Sequence, residues 1–101
     1  MFVESMPANN GMAFVYSQPS LLKFWMKDTL IPLDILFFDH NNTLIHIEKD
    51  MKPSDLTPRG PDLPACMAIE INGGLAEKMK LKPGAKLISD LTQECLQSTI
   101  Q

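Results

Sequence analysis

Apolar residues come in short clusters separated by turn-forming residues. Met12 to Tyr16 (MAFVY) is an aromatic-rich run that ends at the polar Ser17-Gln18-Pro19-Ser20. Leu21 to Met26 (LLKFWM), Leu33 to Phe38 (LDILFF) and Leu44 to Glu48 (LIHIE) follow, and Ala65 to Ile71 (ACMAIEI) sets Met67, Ile69 and Ile71 on one strand face. Runs of roughly four to eight β-forming residues between turn signals describe an antiparallel sandwich or barrel. Asp39-His40-Asn41-Asn42-Thr43 is a good hairpin connection, because asparagine tolerates the positive φ of tight turns. Met51 to Pro64 carries four prolines and Gly60 and has no regular period, so it reads as a loop.

One helix is expected. Gly73-Gly74 ends the preceding strand, and Leu75 to Leu81 places Leu75 and Met79 one helical turn apart among good helix formers. Lys82-Pro83-Gly84 stops it with the residue pair of a type II turn, and Ala85 to Ser89 reads as a closing strand. Asp90 to Gln101 reads as a frayed helix or disordered tail. The expected architecture is therefore mostly β: a small antiparallel β-barrel or sandwich of short strands with one short helix near residues 74–81. It forms a single domain over residues 1–89, followed by a tail over 90–101.

A length of 101 residues suits one domain, and 45% hydrophobic residues suffice for one core. With 12 acidic and 9 basic residues the net charge is −3, and without a Lys/Arg run this argues against a nucleic-acid partner. The apolar runs are too short for a transmembrane segment. Glu4, Pro7 and Asn9 fall where a secretory leader would be apolar. Cys66 and Cys95, with His40 and His46, show no metal-ligand spacing, so no metal or other cofactor is expected. Cys66 reads as a reduced buried thiol and Cys95 as a tail thiol.

Candidate chemistry centres on Phe24-Trp25-Met26-Lys27-Asp28-Thr29 and Pro32-Leu33-Asp34. In an extended segment Trp25 and Lys27 face away from Phe24 and Met26. Asp34 and Glu70 sit inside otherwise apolar strands, where an unpaired charge costs several kcal/mol. Lys27 is the expected partner of one of them, either as a structural ion pair or as the polar floor of a pocket walled by Trp25.

The block FWMKDTLIPLDILFFD, with GMAFVY before it and AIEINGG and KPG after it, resembles the Domain of Unknown Function 192 family. That family is marked by G-M-x-F-x-F, then F-W-M-[KR]-N-T-x-x-P-L-D, then L-E-x-N-x-G. These motifs correspond here to Gly11–Tyr16, Phe24–Asp34 and Ile69–Gly74, and the resemblance spans about residues 1 to 88. Asp28 stands where asparagine is usual, and Val3 where an arginine follows Met-Phe. The resemblance implies a mostly β barrel or sandwich with one short helix, and no established activity. It also implies a strand and short helical segment upstream of Met1, and in many relatives a signal peptide. The compartment is then cytoplasmic if Met1 is the true start, and periplasmic or secreted if a leader is missing.

Other features carry less. Asn72-Gly73-Gly74 could offer amides to an anion but reads more simply as a tight turn. His46, between Ile45 and Ile47, is expected to point to solvent. No serine, cysteine or threonine sits beside a histidine in a nucleophile pattern. The leading reading is a non-catalytic module that binds a small polar ligand or a protein partner, with Trp25, Lys27, Thr29, Asp34, Glu70 and Asn72 as candidate ligand-binding residues. One alternative is an enzyme using Asp34 and Glu70 as an acid/base pair on a glycan or similar polar substrate. Another is an interaction domain that offers an exposed sheet edge.

Overall fold

The computed structural model describes residues 11–87. Strands β1 (Met12–Ser20), β2 (Leu33–Phe38), β3 (Leu44–Met51) and β4 (Ala65–Asn72) pair antiparallel in one sheet, in the order β1-β4-β2-β3. A short helix, α1 (Leu75–Lys78), follows β4. The mostly β, antiparallel reading with one short helix holds. Among the described residues, however, the strands form one open sheet, not a closed barrel or a pair of sheets. One face is covered by the irregular 21–32 segment and the other by α1 and the chain after it, so no second sheet is needed to bury them.

The β2–β3 hairpin turns where asparagine and aspartate predict. Asp39 Oδ1 accepts the amides of Asn41 at 2.8 Å and Thr43 at 3.0 Å, and Asn42 takes a left-handed φ of 59°. All of β2 is buried, as expected of a central strand covered on both sides. One face carries Leu33, Ile35 and Phe37 of β2 with Ala68 of β4, packed on Leu22 and Met26 of the 21–32 segment. The opposite face carries Leu36, Phe38, Met67 and Ile71, packed on Ala76 of α1.

Several boundaries differ from those the residue pattern suggested. β1 runs on to Ser20 through an irregularity after Val15, because Ser20 pairs again with Ala65. The helix spans one turn, not two. Lys80 adopts φ 58°, and the Lys80 and Leu81 amides donate back to the Glu77 and Ala76 carbonyls in a Schellman closure. The run Leu21–Met26 makes a single bridge, Phe24 to Arg59, instead of a strand. Likewise Ala85–Leu87 contributes only the Thr43–Lys86 bridge, while Ile88 and Ser89 lie outside the described residues.

The thiol reading of Cys66 is corrected: Cys66 is disulfide-bonded. Spacing gives no clue to this, because the bond depends on tertiary placement. Cys95, the expected tail Asp90–Gln101 and the segment before Gly11 lie outside the described residues.

Candidate functional site

The 21–32 segment is fastened to the 52–64 loop by backbone bonds. The amides of Phe24 and Arg59 each donate to the other's carbonyl at 2.8 Å, Met26 N–H donates to Asp55 O at 2.7 Å, and Ser54 N–H donates to Thr29 O at 3.1 Å. Lys23 Nζ adds bonds to the carbonyls of Gly60 and Pro61, both at 2.8 Å. Extended backbone then alternates the side chains as anticipated. Phe24 and Met26 turn in to the core, while Trp25, 45% exposed, and Lys27 turn out. The Lys27 ammonium stands 5.6 Å from the Trp25 ring centroid, a cation–π arrangement.

Thr29 closes a tight turn here: its amide donates to Met26 O at 3.1 Å, and Asp28 takes φ 59°. Asparagine and aspartate are the side chains most tolerant of that left-handed geometry, which explains how Asp28 is accommodated in the turn. The turn buries Thr29 completely. Phe24 also joins an aromatic row across the sheet face. It meets Phe14 and Phe37 edge to face at 5.6 and 5.8 Å, and Phe37 meets the His46 ring at 5.7 Å.

The expected ion pair of Lys27 with Asp34 or Glu70 does not form. Among the described residues, Lys27 takes part in no salt bridge. Asp34 instead accepts three backbone amides: Asp50 at 2.7 Å and Gly74 at 3.1 Å on Oδ1, and Ala76 at 2.8 Å on Oδ2. Backbone donors satisfy a buried carboxylate without the desolvation of a second charge. These bonds also use two of the amides near the glycine pair that could have met an anion. Asn72 is half-buried opposite Leu33.

Glu70 is the exception. It is fully buried, lies opposite Ile35 in the β2–β4 ladder and Met12 in the β1–β4 ladder, and among the described residues neither carboxyl oxygen has a hydrogen-bond partner. Burial raises its pKa to about 7.

Residue types alone did not single out a second polar group. His46 is half-buried rather than solvent-facing, because the β2–β3 register sets it opposite Phe37 on a covered face. Its Nε2 lies 2.5 Å from Glu48 Oε2. Glu48 continues into a polar cavity of about 210 Å³ shared with Lys49, Asp50, Lys52, Asp55 and Arg59. The Asp55 carboxyl is held below its usual range, first by the Thr57 amide. Asp50 and Ser54 in this region adopt φ of 55° and 62°. The two-residue spacing of His46 and Glu48 on one strand was the available signal. An apolar cavity of about 150 Å³ lies on the opposite sheet face between Leu36, Ile69 and Leu81. Neither cavity is lined by any of the six residues picked from the sequence. Among the described residues, no three His, Cys, Asp or Glu side chains are grouped to hold a metal ion.

The family model of DUF192, Uncharacterized ACR, matches residues 1–89. The chain belongs to the DUF192 family. A crystal structure of a protein of unknown function from Novosphingobium aromaticivorans DSM 12444 is similar at 38% identity and a TM-score of 0.81. That match covers 85% of this chain and 61% of the other, so the DUF192 chain described here spans less than two-thirds of that relative. A candidate transcription regulator from Sinorhizobium meliloti 1021 is similar at 27% identity and a TM-score of 0.81, covering 85% of this chain and 67% of that one. Among curated proteins, none matches.

Proposed function

We propose that this DUF192 chain is a non-catalytic binding module whose contact surface is the outer side of the 21–32 segment. The carrying observation is Trp25, half exposed with the Lys27 ammonium over its ring. A large aromatic face beside a cation suits a small polar ligand with an anionic group, such as an acidic sugar. Thr29 shapes the turn behind this surface, Glu70 lies on the sheet face beneath it, Asn72 sits opposite Leu33 at the end of β4, and Asp34 holds the start of α1. Acid/base chemistry by Asp34 and Glu70 has less support. One carboxylate is committed to three amides and the other is sealed from water.

A protein partner is the second reading, favoured by β1. Among the described residues this strand is an edge of the sheet, with Met12 and Val15 exposed. The regulatory role named for the Sinorhizobium protein is not carried over, since a net charge of −3 gives DNA no purchase.

Trp25 is the single tryptophan, so its emission reports on the proposed surface. Titration with neutral sugars, sugar acids and amino acids should give a saturable change for an anionic compound, lost in Lys27→Ala. No saturable change at millimolar concentrations would withdraw the small-ligand reading.

A further inference from the structure

The segment that presents Trp25 and Lys27 outward also covers the sheet face on which Glu70 lies. Glu70 pairs across β2 with Ile35 and alternates along β4 with Ala68. Ile35 and Ala68 pack on Leu22 and Met26, the inward residues of that segment. One stretch of chain therefore has the proposed contact surface on its outer side and a sealed, unpartnered carboxyl beneath its inner side. We infer that Glu70 is a proton-operated latch on the 21–32 segment: the carboxyl must be neutral for this cover to stay closed, and its ionisation loosens it. This deepens the proposed binding role by supplying a control on the same surface, and rests on that role only for what the outer side contacts.

The described surroundings of Glu70 give a charge there little to pair with. β2 presents Leu33, Ile35 and Phe37 on this face, and none of them titrates. β1 presents Tyr16, whose hydroxyl is held above its usual range first by burial and then by the Glu70 charge. The covering segment turns Leu22, Phe24 and Met26 inward, whereas Lys23, Lys27 and Asp28 are exposed. β3, beyond β2, brings His46 and Glu48, which are bonded to each other. Of the 52–64 loop, Asp55 and Arg59 pair with each other at the outer cavity, and Asp62 pairs with Lys23. No described cation or hydrogen-bond donor meets the Glu70 oxygens. A carboxylate formed there gains solvation only by letting water in, and the irregular cover is easier to displace than a paired strand. Burial accordingly pushes the carboxyl up to about 7, so the latch operates near neutrality.

The test compares the full chain with Glu70→Gln and Glu70→Leu, without ligand, between about pH 5 and about pH 8.5. Hydrogen-exchange protection of the amides at residues 22–29, corrected for intrinsic rates, should fall in the wild type by up to about a hundredfold across that range. In both variants it should stay flat. An imidazole can also change charge in this window, but His46 is retained in all three proteins, so the difference between profiles belongs to Glu70. An equal fall in the variants, or a flat wild-type profile, overturns the latch. If neither variant folds, the carbonyl stretch of a protonated buried carboxyl decides. It should be present in wild type at about pH 6 and gone by about pH 8.5, and its absence at the lower pH overturns the inference. Ligand titrations do not enter these outcomes, so failure of the binding role and failure of the latch are separately visible.

Discussion

The carboxylate of Asp34 accepts the amide of Ala76 at 2.8 Å, so an acid in the central strand fixes the start of the one described helix. The same side chain holds Asp50 of β3 and Gly74 after β4. Three parts of the chain are thus joined at one residue without any cation.

Asp34→Ala should be among the most damaging substitutions. It removes a charged acceptor from three amides, each such bond being worth about 1.5 to 3 kcal/mol, and leaves buried donors unpaired. A loss of about 3 to 5 kcal/mol in urea unfolding is expected, with Asp34→Asn intermediate because one acceptor oxygen remains. A loss below about 1 kcal/mol for the alanine variant would show that water replaces the carboxylate.

Glu70 makes stability fall as pH rises. Its folded pKa of about 7 lies above the ordinary 4.5, so the unfolded chain releases its proton first. Between those values the unfolded state binds fewer protons and is progressively favoured, and above the upper one the penalty is complete at about 3 kcal/mol. Glu70→Leu should therefore be more stable than wild type at about pH 8, with the advantage shrinking toward about pH 4. A pH-independent difference would contradict a neutral buried acid.

At Gly60 the 52–64 loop packs closely against the backbone of the 21–32 segment. A Cβ there would lie 2.0 Å from the Leu22 carbonyl oxygen, a backbone atom with little freedom to move. Gly60→Ala should cost about 3 kcal/mol or more and loosen the 21–32 segment. A melting temperature equal to wild type would mean that the loops can part without penalty.

Trp25 and Lys27 should both tolerate substitution. Both are exposed, so Trp25→Phe and Lys27→Ala are each expected to change stability by less than about 1 kcal/mol. A double-mutant cycle of Lys27 with Asp34 should show no coupling, since Asp34 is filled by amides.

Peptide mapping checks the disulfide. In protein prepared without reductant, Cys66 should be alkylated only after reduction, because it is already bonded. Labelling of Cys66 under denaturing, non-reducing conditions would show a free thiol. Disulfides persist in oxidising compartments, so this measurement also bears on where the chain resides.

What the residue pattern made legible was local. Asn42 at the hairpin, the alternation of Phe24, Trp25, Met26 and Lys27, and Gly84 at φ 100° after Pro83 all follow from nearest-neighbour backbone preferences. The sequence shows Asp34 as a buried acid needing partners, but its partners are amides, which every residue except proline carries and no side-chain pattern can reveal. Glu70 went against expectation for a different reason. A carboxyl can avoid the cost of a buried charge by keeping its proton, and that option leaves no complementary residue to look for. The placement of β4 between β1 and β2 likewise depends on which surfaces bury best in three dimensions, not on the order of strands along the chain.

That strand order bears on how the molecule comes into being. β2 and β3 are neighbours in the chain and can form their hairpin as soon as both exist. β1 has its described partner only in β4, about half the chain away, and β4 must also insert beside β2. Pairing across such separations is slow, because a long loop must close before any contact repays it. On the ribosome β1 therefore waits without its described strand partner until β4 emerges. A chain interrupted before Asn72 loses the strand that joins β1 to the β2–β3 hairpin, and leaves the aromatic-rich β1 without its described partner and prone to aggregation.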